Sequence, residues 1–327
     1  MLSYILRRVV NYVVLTFLAT VCAYMLTSAF MDPTRRYQGR NPPLDPESIT
    51  RTVDELGVNP DVPVLERTGA WLDRLVTEGS FGRTVHQSDV LTEMVARAGV
   101  SLRLLVVGSV LAAVLGVALG VWGAVRQYRA ADSVITYASY VLIATPTFVG
   151  GVVLMILATR FNDAVGEQVI RFTGAYTPGV PPEFWPRLAD TVSHMLLPTI
   201  ALTLFGAAAY SRYQRSMMLD VLNADYIRTA RAKGRTRTSA LWRHGVRVAV
   251  IPMTTYFAYS FGTLLAGSTF LEVVFSWNGM GQFTIDAVTQ SDVNAATGAV
   301  FFAAVLVLIS STLSEILYAA LDPRVRS

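Results

Sequence analysis

Cysteine, lysine and histidine are scarce in this chain, and their scarcity excludes several classes of site. The sequence has a single cysteine, Cys22, so it can form neither an internal disulfide framework nor a cysteine-based metal cluster. Its single lysine, Lys233, precedes Gly234, the reverse of the order in a GxxxxGK[ST] phosphate-binding loop. The three histidines are scattered without an HExxH pattern, and no GxSxG motif occurs. The chain is therefore not expected to be an enzyme or to hydrolyse ATP by itself, and no metal site is expected.

Charged residues are also few, because they make up 15% of the chain while 53% of its residues are hydrophobic. This balance excludes an ordinary soluble domain. Several apolar runs reach the roughly 20 residues that a helix needs to cross a bilayer. The sequence therefore predicts an all-α polytopic membrane protein with six transmembrane helices. These predicted spans cover residues 9–31, 100–125, 134–159, 195–217, 248–270 and 295–320. Pro198 is expected to lie in the first turn of the fourth span, where a proline is tolerated.

The positive charge of the chain predicts its orientation in the membrane. The net charge is +4, and the basic residues concentrate beside the apolar runs, so membrane topology explains them better than nucleic-acid binding does. Arg7 and Arg8 precede the first span, and further arginines lie between the second and third spans and after the sixth. Because basic residues in short loops favour the cytoplasm, both termini are expected there. The first span has no obvious cleavage site and is interpreted as uncleaved.

We divide the chain into three segments. Residues 1–31 contain the N-terminus and the first span, residues 32–99 form a polar stretch, and residues 100–327 form the core membrane domain with the other five spans. The polar stretch is interpreted as a small ordered extracytoplasmic cap, because Val64–Leu75 has helical spacing and Val90–Val95 offers a second short helix. A disordered loop is the alternative, which the six prolines of this stretch favour.

The strongest local signal is the basic stretch at residues 225–247, inside a loop at 218–247. Asn223 or Asp225 is expected to cap a short helix, and Gly234 to end it in a left-handed conformation. Thr238 or Ser239 is expected to cap a second helix that runs into the fifth span. Two interpretations remain open from charge alone: an ordinary positively charged cytoplasmic loop, or a short helix that docks onto a partner.

The residues YIRTARAKG, followed by an Arg-His step, resemble the conserved cytoplasmic loop of permease subunits of binding-protein-dependent ABC importers. The general motif begins Glu-Ala-Ala and ends Leu-Pro, whereas this chain has Arg-Thr-Ala and Val-Arg, which is typical of the oligopeptide/dipeptide/nickel branch. GSTFLEVVFSWNGMGQ, the terminal LDPRVR and the turn at residues 79–84 resemble the same branch. The resemblance covers essentially the whole chain and is strongest over residues 196–327.

The resemblance implies that the short helix is a coupling helix that docks into a groove on a cytoplasmic ATPase. Tyr226, Ile227 and Ala230 are then expected to form the packed face. Arg228, Arg231 and Lys233 are expected to meet carboxylates or carbonyl oxygens of the partner. The implied coupling residues are Asp225, Tyr226, Ile227, Arg228, Ala230, Arg231, Lys233 and Gly234.

The resemblance also implies the remaining components of the transporter. These are a paralogous second permease, two ABC ATPases that bind the ATP and Mg, an extracytoplasmic substrate-binding protein and the bacterial cytoplasmic membrane. This chain itself is expected to bind no cofactor. Short peptides are the implied substrate, and nickel chelates are the alternative within the family. A self-sufficient secondary transporter is the alternative from another class, which predicts paired broken helices or several buried charges.

Proline and glycine mark further positions within the predicted spans. Pro146 is expected to kink the third span, either beside the translocation path or merely for packing. Gly116 and Gly120 form a GxxxG pair and predict close helix packing. Gly279 and Gly281 are expected to form a tight re-entrant turn on the outer side.

Overall fold

The computed structural model of the chain describes residues 2–38 and 42–321, and these residues fold into helices joined by turns and irregular loops. Side chains are described except at residues 2–6, 258–259, 261–266 and 317–321. The helices are α1 (Leu2–Phe30), α2 (Pro46–Glu55), α3 (Val64–Glu78), α4 (Val90–Val125), α5 (Ala130–Ala144), α6 (Thr147–Val165), α7 (Phe184–Leu222), α8 (Asp225–Ala232), α9 (Arg237–Ala240), α10 (Val246–Val274), α11 (Met280–Thr289) and α12 (Val293–Leu321). A 3₁₀ helix covers Pro33–Tyr37, and a π-helical turn covers Leu241–Gly245. The predicted all-α class is confirmed for the described residues.

Five helices within the described residues are long and apolar enough to cross a membrane, in agreement with a polytopic membrane protein. They cover Arg7–Phe30, Val90–Val125, Thr147–Val165, Phe184–Leu222 and Val293–Ile316. The predicted fifth span corresponds to α10, which is 29 residues long and has several side chains outside the described set. The total of six spans and the position of both termini therefore stay predictions, as residues 322–327 lie outside the described part.

The predicted third span is a pair of helices rather than one kinked helix. Helix α5 ends at Ala144, and α6 starts at Thr147 after two residues with extended ψ values, 127° at Thr145 and 137° at Pro146. Proline has no N–H to donate and disfavours helical backbone in the residue before it. The Thr145 hydroxyl and its backbone N–H both donate to the Val141 carbonyl, at 2.8 Å and 3.1 Å, and close the last turn of α5. Pro146 thus causes a complete break.

Helix α7 is longer than the span predicted for residues 195–217. It starts at Phe184, so Pro198 lies inside the helix, and the prediction that Pro198 stands near its start is wrong. Pro186 occupies the first turn instead, where a missing N–H removes no intrahelical bond. Pro198 was expected in a first turn because proline usually cannot stand inside a helix. Membrane helices tolerate it there where neighbouring helices accommodate the freed backbone groups.

The turn predicted at Gly279 and Gly281 lies earlier in the chain. Ser276 has a left-handed φ of 54°, whereas Gly279 is extended and Gly281 lies inside α11. A serine therefore adopts the backbone conformation that was expected of a glycine. Its amide N–H donates to the Val273 carbonyl at 3.1 Å, which closes the end of α10.

Residues 1–101 and 278–309 form the first of two compact units. Its core contains the ring of Trp71 stacked on Tyr24 with centroids 4.5 Å apart. Trp71 Nε1 also donates to the Phe81 carbonyl at 3.2 Å. The buried Arg67 donates to the carbonyl of Ser28 in the last turn of α1 at 3.0 Å, where the helix dipole favours a cation. The polar stretch at residues 32–99 thus carries α2 and α3 and a packed core instead of a loop without structure.

Residues 102–277 and 310–327 form the second unit, in which α4 packs closely on α7. A Cβ placed on Gly108 would lie 2.5 Å from the Leu202 side chain, and one on Gly116 would lie 2.5 Å from Cβ of Tyr210. A Cβ on Gly120 would lie 2.6 Å from the Ser211 carbonyl oxygen. The predicted close packing at Gly116 and Gly120 is confirmed, and it occurs within this chain. We call this contact the glycine seam.

The glycine seam gives a prediction about stability. Gly120→Ala is expected to destabilise the chain by about 1–3 kcal/mol, because its new methyl group must displace backbone of α7. Gly99→Ala is the matched control on the same helix, since a Cβ there meets nothing within 4 Å. Thermal unfolding in detergent, followed by tryptophan fluorescence, measures both variants. Equal melting temperatures for the two variants would contradict the tight seam.

Candidate functional site

Two residues separate α8 from the end of α7, and the start of α8 differs from the prediction. The residue before it, Ala224, has extended backbone and provides no side-chain cap. Asn223 ends α7, and Asp225 is the first residue of α8, so the prediction that one of them caps α8 is wrong. Asp225 still favours this helix, because a carboxylate in the first turn interacts well with the helix dipole.

The end of α8 is as predicted, because Gly234 has a left-handed φ of 87°. The Arg235 N–H donates to the Ala230 carbonyl at 3.2 Å, and the Gly234 N–H donates to the Arg231 carbonyl at 3.0 Å. This pair of bonds is the Schellman motif, which requires a residue that tolerates positive φ. The motif closes α8 and turns the chain sharply toward α9.

The cap of α9 lies earlier than the predicted Thr238 or Ser239. Thr236 is the capping residue, and its hydroxyl accepts a hydrogen bond from the Ser239 N–H at 3.3 Å. The four residues of α9 lead into the π-helical turn and then into α10. The prediction of a second helix that continues into the next apolar helix is thus confirmed, with a different first residue.

One face of α8 packs against helices of the same unit. Ile227 is 2% exposed and lies in a cluster with buried residues of α4, α7 and α10. Gly245 makes room for this contact, because a Cβ placed there would lie 3.1 Å from Val221 Cγ1 and 3.6 Å from Ile227 Cδ1. Ala230 packs half-buried against the same cluster. The other buried members are Val121, Ala124, Met218, Val221, Ala240, Leu241 and Ala249.

The opposite face of α8 is open and basic. Tyr226 is 41% exposed, and partial burial raises the pKa of its hydroxyl, so this group is neutral at physiological pH. Arg228 lies 3.7 Å from Asp225, but both side chains are exposed, so this pair stabilises the helix only slightly. Further basic side chains of the stretch are exposed as well: Arg231, Lys233, Arg237, Arg243 and Arg247.

The structure therefore divides the predicted coupling residues into two groups. Ile227 and Ala230 hold α8 on its own unit, while Tyr226, Arg228 and Arg231 lie on the exposed side. Asp225, Lys233 and Gly234 are exposed at the two ends of the helix. A partner that approaches α8 from outside would meet an exposed tyrosine ring and exposed guanidinium groups, which suit a groove lined by carboxylates and carbonyl oxygens. The role of both groups in coupling to an ATPase stays a prediction.

Pro146 lies apart from α8, at the break between α5 and α6, and it is exposed. The next residue, Thr147, approaches α10, because its hydroxyl lies 3.5 Å from the Gly267 carbonyl oxygen. The break thus stands beside the helix that follows the coupling loop. Whether Pro146 faces the translocation path stays a prediction.

Sequence reasoning missed two polar contacts that shape this unit. Asp190 of α7 accepts hydrogen bonds from Arg171 at 2.8 Å and from the Thr177 N–H at 2.7 Å, and so fixes the loop before α7. Asp132 of α5 binds Arg215 of α7. Acids at the edges of apolar runs were the available signal, but their partners are distant in sequence.

Residues 116–327 match the family described as the binding-protein-dependent transport system inner membrane component. The oligopeptide transport system permease protein OppB of Mycobacterium tuberculosis (strain ATCC 25618 / H37Rv) is 45% identical over 326 residues, which cover 100% of this chain and 99% of that protein. AppB of Bacillus subtilis (strain 168), also an oligopeptide transport system permease protein, is 31% identical and covers 99% of each chain. The dipeptide transport system permease protein DppB of Escherichia coli (strain K12) is 31% identical over 100% of this chain and 99% of its own length. The chain belongs to this family of inner-membrane transport components.

The end of α8 gives a prediction about function. Gly234→Val is expected to abolish uptake while membrane insertion stays intact, because a β-branched residue is strained at a φ of 87° and the Schellman turn is lost. Gly234→Asn is the control, since asparagine tolerates the left-handed conformation and should keep most uptake. Uptake of a labelled peptide by cells is the measurement. Normal uptake by the valine variant would show that the turn is dispensable.

Proposed function

We propose that the chain is a permease subunit of an ATP-driven ABC importer that moves short peptides into the cytoplasm. The names of the relatives include oligopeptide and dipeptide transport, and these relatives align with this chain along nearly their whole length. Their names favour peptides over nickel chelates as the substrate. The secondary-transporter alternative is not favoured, because the relatives are subunits of multicomponent transport systems.

The observation that carries the proposal is the arrangement of α8. Ile227 anchors this helix in its own unit, so the helix is held in place before any partner binds. Its exposed face then offers Tyr226, Arg228 and Arg231 to an ATPase subunit. Tyrosine and arginine are the residue types that contribute most often to the affinity of protein interfaces. ATP and Mg bind to the ATPase subunits, and this chain supplies the surface on which those subunits dock.

The topology of the proposal follows the distribution of charge. Six helices cross the bacterial cytoplasmic membrane, both termini and α8 lie in the cytoplasm, and residues 32–99 form a cap on the outer side. A binding protein delivers the peptide to this outer side. A paralogous second permease completes the membrane part. The translocation path then lies between the two subunits, so neither has to enclose the peptide by itself.

The connections of α8 support a mechanical role. Only Asn223 and Ala224 separate it from α7, and α9 with the π-helical turn leads from it into α10. When the ATPase pair closes on ATP, movement of α8 is passed to these two long helices. The break at Pro146 lies beside α10, so a displacement of α10 would also displace the ends of α5 and α6 that meet at this break.

The exposed face of α8 gives a prediction about assembly. Tyr226→Ala and Arg231→Glu are each expected to lower the amount of ATPase that co-purifies by about tenfold, because each removes a central contact. Arg243→Glu makes the same charge change outside α8 and serves as the control. Co-purification from membranes through a tag on this chain is the measurement. An equal loss in Arg231→Glu and Arg243→Glu would indicate diffuse charge attraction and would contradict docking through α8, and so would an unchanged yield with Tyr226→Ala.

The proposal also predicts the energetics of the isolated chain. Purified alone, the chain is expected to hydrolyse no ATP, whereas a mild-detergent preparation should contain two ATPase subunits and hydrolyse ATP. Phosphate release by both samples is the measurement. Appreciable hydrolysis by the isolated chain, or an intact preparation that lacks ATPase subunits, would reject an importer energised by partner subunits.

A further inference from the structure

A partly buried ion pair joins α5 to α7 in the second unit. Arg215 Nε lies 2.6 Å from Asp132 Oδ1, and Arg215 Nη2 lies 2.8 Å from Asp132 Oδ2, so the guanidinium binds the carboxylate through two parallel hydrogen bonds. The side chain of Asp132 is 6% exposed and that of Arg215 is 26% exposed. Two parallel bonds fix the relative orientation of both side chains, which a single charge contact does not.

The surroundings of the pair leave little space for movement. A Cβ placed on Gly123 of α4 would lie 3.2 Å from Asp132 Oδ1 and 3.8 Å from Arg215 Cδ, so α4 closes one side of the pair. The Tyr128 N–H donates to Asp132 Oδ2 at 3.0 Å, which holds the turn between α4 and α5 at a left-handed φ of 64°. The pair thus ties together α4, α5 and α7 at one place.

A second contact between α5 and α7 lies on the same side of both helices. The guanidinium carbon of Arg212 stands 4.6 Å from the ring centroid of Tyr140, a cation–π contact. Arg212 and Arg215 are three residues apart on α7, and neighbours at this spacing share one helix face. The two arginines therefore hold α7 against α5 along that face.

We propose that the Asp132–Arg215 pair is a positioning element that passes the movement of α8 to α5 and on to the break at Pro146. Helix α7 runs without interruption from Arg215 to Leu222, a rise of about 10 Å, before the link to α8. Helix α5 runs about 18 Å from Asp132 to its end before Pro146. This role rests on the proposed function, because it needs a partner that moves α8.

The arrangement favours transmission over simple stabilisation for a physical reason. A buried ion pair stabilises a fold no better, on average, than a neutral replacement of similar size. What the paired groups provide is orientation: α7 cannot rotate or slide against α5 without lengthening at least one of two bonds. A displacement of α7 therefore moves α5 with it.

The test uses the complete transporter in proteoliposomes, with its binding protein and a casein tryptic digest as the peptide source. Arg215→Lys keeps the charge but loses the paired bonds. It is expected to lower the stimulation of ATP hydrolysis by peptide-loaded binding protein about tenfold, a usual size for coupling between sites. Asp132→Asn is expected to do the same. Asp220→Asn removes an exposed acid on α7 and is the control, for which wild-type stimulation is expected.

The double variant Asp132→Asn with Arg215→Gln separates the two roles. Its neutral side chains keep one hydrogen bond and bury no unpaired charge, so its assembly and melting temperature should be close to those of the wild type. Stimulation should stay low, because the paired geometry is lost. Recovery of stimulation together with stability would overturn the proposal, and so would wild-type stimulation in an assembled Arg215→Lys transporter. If Asp132→Asn does not assemble, the other two variants decide. A wild-type preparation without ATPase subunits would instead reject the proposed function.

Discussion

The close approach of α4 and α7 is the constraint on which the second unit depends. Without side chains at Gly116 and Gly120, the two backbones meet directly, and dispersion contacts replace the hydrophobic driving force that lipid does not provide. Further along the same two helices, Val121 and Val221 contribute to the cluster in which Ile227 of α8 is buried. The position of α8 therefore follows from the short distance between the backbones of α4 and α7.

Anchoring α8 inside its own unit has a consequence for binding. A short helix of eight residues is marginal in water by itself, because nucleation is unfavourable. Ile227, the Schellman turn at Gly234 and the space left by Gly245 hold it in place instead. A partner then meets an ordered surface and does not have to order it on binding, which favours affinity. Burial inside the unit and exposure toward a partner are complementary uses of the two faces of one helix.

Local features of the coupling loop were predictable, and contacts across the chain were not. Gly234 was recognised as the end of α8 because a helix that ends in a left-handed residue carries this signature in adjacent positions. Thr236 was missed as a cap because the stretch contains several equivalent hydroxyl residues. Asp132 and Arg215 are 83 residues apart, and nothing in the spacing between them indicates that they meet. The break at Pro146 was underestimated, since a proline marks a disruption without specifying whether the helix bends or stops.

By itself, the sequence determined the class of the protein and the place of the short basic helix α8. Long apolar runs avoid water, clustered arginines beside them favour it, and both preferences can be read residue by residue. Only the tertiary structure decided which side of α8 is buried, that the glycines of α4 pack against α7 of the same chain, and that an ion pair joins α5 to α7. These outcomes depend on which surfaces meet when helices pack, and packing joins residues that are remote from one another in sequence.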